Sequence, residues 1–297
     1  MANKDYFDFR EIARLEAGSS PNLINVIEKE LIHHDILRTM TDNGFMSELC
    51  FQGGTSLRLC YQSERFSEDL DFTGGLNYTA SNMAQLKICL EDTLTKKYGL
   101  LVEVKPPKEK KDPDINVSTW QVKVVTAPDR PDIPTQKIKI EIANIPSYTR
   151  EFSQINDFYQ TITYSPLLVP VQSMEEIMSD KLLALPASVS NIRYRDLWDL
   201  NWMSTQRVKP NLDLLQSKIS DYQVENYHEK LNNRIDSLPA LIEGLLFRQQ
   251  MSRFLRYETM ERTVSNPEFR QAMLLRLTSM LTQCQELTFV PSQKFRR

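Results

Sequence analysis

The chain has 297 residues, 41% of them apolar and 25% charged, with a formal net charge of −3. These proportions exclude bulk disorder, and no run approaches the roughly 18 apolar residues that span a bilayer. The length favours two lobes over one simple domain.

The first six residues, Met1 to Tyr6, are polar and carry an acid, so they read as neither a secretory signal nor a transit peptide. Cys50, Cys60, Cys89 and Cys284 show no CxxC or histidine-pair spacing. A disulfide framework and a structural zinc site are therefore not expected, and a reducing cytoplasm is the expected compartment. Charge is unevenly spread. From Gly244 onward nine Lys and Arg stand against four Glu, a surplus of five, which leaves the first 243 residues at −8. A basic tail on an acidic body suits a polyanionic partner; a solvated helical surface explains the same count.

Leu23, Ile24, Ile27, Leu31, Ile32, Ile36 and Leu37 recur close to helical period and predict a helix over 22–41. Ser19 or Ser20 is its expected cap, with Pro21 in the first turn and Asn43-Gly44 as the stop. A buried approach over 45–51 leads to Gln52-Gly53-Gly54-Thr55-Ser56, followed by helix over 57–61. Leu70-Asp71-Phe72-Thr73 reads as a strand ending at Gly74-Gly75, and 81–98 as a helix closed by Gly99. Strands are expected over 100–105, 119–126 and 137–143, separated by Pro-rich loops at 106–114 and 128–134, with a further short strand over 161–164. From Ser173 the pattern is helical. Ser173 and Glu176 form a capping box, and further helices are expected over 195–205, 212–222, 227–235 and 267–282. The order is mixed α/β followed by all helix, which gives an α+β protein with lobes over 1–170 and 171–297.

Four of only eight glycines, Gly53, Gly54, Gly74 and Gly75, fall within 23 residues. Glycine permits close backbone approach and lets amide groups face an anion, and a helix starting at Gly53-Gly54-Thr55-Ser56 would add its dipole. Asp69 and Asp71 are two apart on the expected strand, so both carboxylates take one face while Leu70 and Phe72 take the other. Two adjacent carboxylates that also meet phosphate suit Mg²⁺; exposed strand acids are the bland alternative. Along Lys137-Ile138-Lys139-Ile140-Glu141-Ile142 the alternation makes Glu141 the one acid on the polar face. It completes a metal-binding trio if this strand neighbours the first, and otherwise sits on a solvent-facing edge. His33 and His34 point about 100° apart on a helix and cannot chelate one metal. They and His228 read as structural.

Gly53-Gly54-Thr55-Ser56-Leu57-Arg58, together with Arg65-Phe66-Ser67-Glu68-Asp69-Leu70-Asp71-Phe72, resembles the AbiEii nucleotidyltransferase toxins of bacterial type IV toxin–antitoxin systems. The resemblance extends to Asp180-Lys181-Leu182-Leu183-Ala184-Leu185 and to Arg193-Tyr194-Arg195-Asp196-Leu197-Trp198-Asp199-Leu200, and so covers about half the chain. It implies a polymerase-β-like nucleotidyltransferase lobe followed by an all-helical C-terminal lobe, with Lys181 and Asp196 matching an essential lysine and a late aspartate. Gln52 and Arg195 depart from the pattern, which has Lys at both positions.

The expected function is Mg²⁺-dependent transfer of a nucleoside monophosphate from an NTP to a hydroxyl. Asp69, Asp71 and Glu141 would hold metal, with two ions plausible. Gly53, Gly54, Thr55, Ser56, Arg58, Ser67 and Lys181 would bind the nucleotide, and Asp69, Asp71, Lys181 and Asp196 would carry catalysis. The resemblance implies an RNA acceptor, such as a tRNA 3′ end, and a cognate antitoxin as partner; no membrane partner is expected. The alternatives are transfer to a small molecule such as an antibiotic, and an inactive RNA-binding scaffold.

Overall fold

Apolar alternation along the strands builds one mixed seven-stranded sheet. The computed structural model describes residues 6–108, 117–159 and 161–287. Its strands are β1 (Cys50–Gln52), β2 (Leu70–Thr73), β3 (Val102–Lys105), β4 (Val117–Val124), β5 (Gln136–Ala143), β6 (Glu151–Gln154) and β7 (Leu168–Val171), in the order β3-β4-β5-β2-β1-β7-β6. β2 lies parallel to β5 and β1 parallel to β7; the other neighbours are antiparallel.

One face of the sheet carries Phe51, Leu70, Phe72, Trp120, Val122, Ile138, Ile140 and Ile142, all buried. It packs with α1 (Phe9–Ala17), α2 (Ile24–Asp42) and α4 (Leu86–Tyr98) in a single apolar cluster. Burying each such side chain contributes about 1.5–3 kcal/mol. Period 2 sends the intervening residues Gln52, Asp71 and Glu141 to the opposite face, where the pairings Gln52↔Asp71 and Asp71↔Glu141 set them side by side across three strands.

A second apolar cluster runs from Ile177 to Leu287 and takes in Leu57 from α3 (Gly53–Leu59). It is built by α5 (Met174–Ala187), α6 (Tyr194–Thr205), α7 (Leu212–Asp221), α8 (Tyr227–Glu243), α9 (Leu245–Met251), α10 (Tyr257–Arg262) and α11 (Pro267–Gln283). The mixed sheet followed by helices is the expected α+β class. One late residue crosses over: Phe254 belongs to the first cluster, and its carbonyl accepts from the Phe66 amide at 2.9 Å.

Some local expectations are corrected. Ser20 does not cap the long helix: a short 3₁₀ turn, Pro21–Leu23, precedes α2, and the Ser20 hydroxyl accepts from the Tyr257 amide at 2.8 Å. Residues 161–164 form no strand. The sheet gains β6 and β7 instead, and β6 is a polar edge strand with no apolar alternation to reveal it. α8 runs on through Pro239 to Glu243. At Ser173 only half the box forms: its hydroxyl accepts from the Glu176 amide, while the Glu176 carboxylate binds Lys218 at 2.6 Å and the amides of Tyr148 and Thr149. Residues 109–114 of the first Pro-rich loop lie outside the described residues, as do the polar start, Met1 to Asp5, and Lys294, Arg296 and Arg297.

Candidate active site

β1 runs into α3 through Gly53, whose φ of +80° suits glycine. A Cβ there would lie 2.6 Å from Asp71 Oδ2, and one on Gly54 would strike the Arg65 guanidinium and come within 3.1 Å of Ser67 Oγ. Both glycines are thus explained by close approach to charged side chains. The neighbouring hydroxyls are spent on the turn itself. Thr55 Oγ1 donates to the Asp69 carbonyl, and Ser56 Oγ donates to the Gly53 carbonyl at 2.8 Å. With only seven residues, α3 adds little dipole, so any anion held here depends on local amides and on cations from elsewhere.

Arg58 is not one of those cations. Its guanidinium is buried, bonded to Glu30 at 3.0 Å and to the Ser63 carbonyl at 3.1 Å, and lies between the Phe66 and Phe158 rings at 4.4 and 3.9 Å. It braces α3 against α2 rather than facing the nucleotide, and its expected role in phosphate binding is withdrawn.

The acids gather as their register requires. Asp71 lies between Gln52 and Glu141, and Asp69 immediately precedes β2. Burial, reinforced by Glu141 and Asp69, pushes the Asp71 carboxyl up to about 7. Asp69 Oδ1 accepts from the Lys139 amide at 3.0 Å, and Glu141 sits 3.7 Å from the Lys139 ammonium. In these rotamers no three acid, His or Cys side chains among the described residues converge on one point. The all-oxygen donor set and the mutual repulsion at Asp71 nevertheless suit a hard divalent cation, which Glu141 could reach by leaving Lys139.

Facing the acids is a buried ionic network. Lys181 on α5 lies 2.8 Å from Asp196 Oδ1 and 2.7 Å from Asp199 Oδ2, both on α6. Arg65 holds Asp199 with two parallel bonds of 2.7 Å, and Arg193 binds Asp196. Burial alone would raise both carboxyls. Lys181 and Arg193 reverse this at Asp196, as Arg65 and Lys181 do at Asp199, so both are held below the usual range and stay ionised. Three cations against two carboxylates leave one net positive charge. Arg65 is the partner that sequence reasoning missed, although it stands inside the motif that carries Asp69 and Asp71. The one-turn spacing of Asp196 and Asp199 was the signal for the other half.

A cleft of about 430 Å³ separates the acids from α5. Its lining includes Gln52, Gly53, Asp71, Glu141, Lys181 and Arg193, but not Gly54, Thr55, Ser56, Arg58, Ser67, Asp69 or Asp196. Ser67 stands behind Gly54, and Asp196 behind Lys181 and Arg193. At the two departures from the family pattern, Gln52 hydrogen-bonds Tyr222, and Arg195 lies half-exposed over the Phe254 ring at 5.2 Å.

A Gly-Gly turn against in-register acids on a mixed sheet, faced by a lysine from a following helical lobe, defines a nucleotidyltransferase. The family described as nucleotidyl transferase AbiEii toxin, type IV toxin–antitoxin system, matches residues 35–274, and the chain belongs to it. Among solved structures, MenT4, a nucleotidyltransferase toxin from Mycobacterium tuberculosis, superposes with a TM-score of 0.61 at 15% identity, covering 94% of this chain and 90% of that one. JHP933 from Helicobacter pylori matches at 0.46 and 18%, covering 87% and 92%. No curated protein sequence matches the chain. Among the described residues, no helix is long and apolar enough to cross a membrane.

Proposed function

We propose that this toxin transfers a nucleoside monophosphate from an NTP to the 3′ end of an RNA, most simply a tRNA, in the cytoplasm, under the control of a cognate antitoxin. The observation that carries this reading is the facing of Asp71 and Glu141 by Lys181 across one cleft, with the Gly53 backbone at its end. Asp69, Asp71 and Glu141 would hold Mg²⁺, with two ions plausible, supplying charge neutralisation for phosphoryl transfer. Gly53 and Gly54 bring backbone against the phosphates, and Thr55, Ser56 and Ser67 hold that turn in shape. Lys181 and Arg193 offset phosphate charge. Asp196 keeps both cations aimed, and so acts on the nucleotide through them. Little more is needed, since such transfer rests on positioning and electrostatics.

The test is incubation with labelled NTPs, Mg²⁺ and total tRNA. Label on the RNA 3′ end is the expected result. Label on a small acceptor alone would replace the RNA reading, and RNA binding without label from any NTP would make the lobe a scaffold.

A further inference from the structure

A second groove, of about 560 Å³, opens beside the nucleotide cleft and shares Ser188 and Arg193 with it. Its walls come from the α5–α6 connection (Ser190, Asn191, Ile192), the start of α6 (Tyr194, Arg195, Asp196) and α9 (Leu246, Gln250). None of the metal-site acids lines it. Its one acid, Asp196, is neutralised from two sides by Lys181 and Arg193. The groove therefore presents cationic charge, from Arg193 and from Arg195. The Arg195 guanidinium is 44% exposed and only loosely tied, 3.8 Å from Glu68.

The groove also has an apolar side that the fold does not use. Leu246, in its lining, is 58% exposed, and Ile192 lines it too. Cationic heads beside apolar side chains and uncharged amides and hydroxyls (Asn191, Gln250, Ser190) match an unpaired nucleotide, whose phosphate is anionic, whose base face is apolar and whose edges hydrogen-bond. Continuity with the first cleft gives the direction. A chain end lying here meets the first cleft at the shared residues Ser188 and Arg193.

Resting on the RNA-acceptor reading above, we propose that this groove seats the unpaired terminal nucleotides of the acceptor strand, with Arg195 on a backbone phosphate and Leu246 against a base. It is an acceptor subsite separate from the NTP site.

Binding can be read without catalysis. A fluorescein-labelled, unstructured oligoribonucleotide is titrated into the full-length protein at low salt and followed by anisotropy. In parallel, a non-hydrolysable NTP analogue with Mg²⁺ is titrated by calorimetry. Leu246→Glu and Arg195→Gln, both at exposed positions, are each expected to weaken oligoribonucleotide binding about tenfold, the loss of one contact of roughly 1.4 kcal/mol. Analogue binding and the melting temperature should not change. No oligoribonucleotide binding by the wild type, unchanged binding in both variants, or an equal loss of analogue binding would each overturn the proposal. Failure of the function itself looks different: the oligoribonucleotide binds and responds to the substitutions, yet no NTP labels it.

Discussion

Asp71 is crowded by its own surroundings. It is half-buried, flanked by Glu141 and Asp69, and closely approached by the Gly53 backbone. Replacing Asp71 by Asn removes the proposed metal ligand and a repulsive charge together. Transfer should be abolished while the melting temperature holds or rises, and wild-type turnover in the purified variant would refute the assignment. Gly53→Ala tests the same contact from the backbone side. The methyl meets Asp71 at 2.6 Å and needs a positive φ, so a cost of about 1–3 kcal/mol and a displaced carboxylate are expected. A melt and a turnover assay check both, and a variant as active and stable as wild type would contradict the close approach. At this scale the sequence revealed residue types well and orientations poorly. Period 2 put Asp69 and Asp71 on one face of their strand and Glu141 on the polar face of another; only the register Asp71↔Glu141 joins them. Nothing local told that Arg58 turns away to Glu30 while Arg65, seven positions on, turns toward Asp199, because both partners lie on distant elements.

Helices α5 and α6 share an apolar cluster and are also joined by charge. Lys181 serves both Asp196 and Asp199, and Arg65 brings the motif before β2 into the same network. Removing one member of a buried pair leaves its partner uncompensated, so Asp199→Asn should cost about 3–5 kcal/mol at neutral pH. The pH dependence has a defined sign. Asp199, held below its ordinary value of 3.8 by Arg65 and Lys181 against the opposing effect of burial, contributes stability that is present above about pH 4 and is lost as pH falls through its folded value. Chemical denaturation of wild type and variant across pH 2–7 should therefore show the gap between them narrowing in acid; a constant gap would exclude this pair as the source. Helical spacing revealed α6 and the shared side of its two aspartates. β6 escaped because it is a four-residue polar edge strand with no alternation, and β7, although interior to the sheet, because Pro170 interrupts it.

Among the described residues, four of the six arginines after Gly244 are used internally. Arg270 binds Glu243 and the Val264 carbonyl, Arg276 binds Asn201, Arg262 binds Glu64, and Arg256 donates to the Glu16 carbonyl while lying over Phe66. Arg253 and Arg256 lie in the turn between α9 and α10. Arg253, whose side chain lies over Phe254 beside the Arg195 guanidinium, remains available to a polyanion. Arg253→Gln should lower RNA affinity and reduce the slope of log affinity against log salt by about 0.7, the share of one phosphate contact on a single strand. Anisotropy over a range of salt concentrations measures this, and an unchanged slope would assign Arg253 to the scaffold.

The crossover of Phe254 into the first core has a consequence for how the toxin comes into being. The strand that carries Asp71 is made early, but the helices that carry Lys181, Asp196 and Asp199 follow long after it. The loop before β2 then docks its Phe66 amide on a carbonyl supplied still later, at Phe254. A nascent chain that has not reached α5 therefore holds Asp69, Asp71 and Glu141 without the cations that face them, and without the late residue that completes their side of the core. Synthesis itself delays assembly: the packing around these residues is complete only when the chain has been made beyond Phe254.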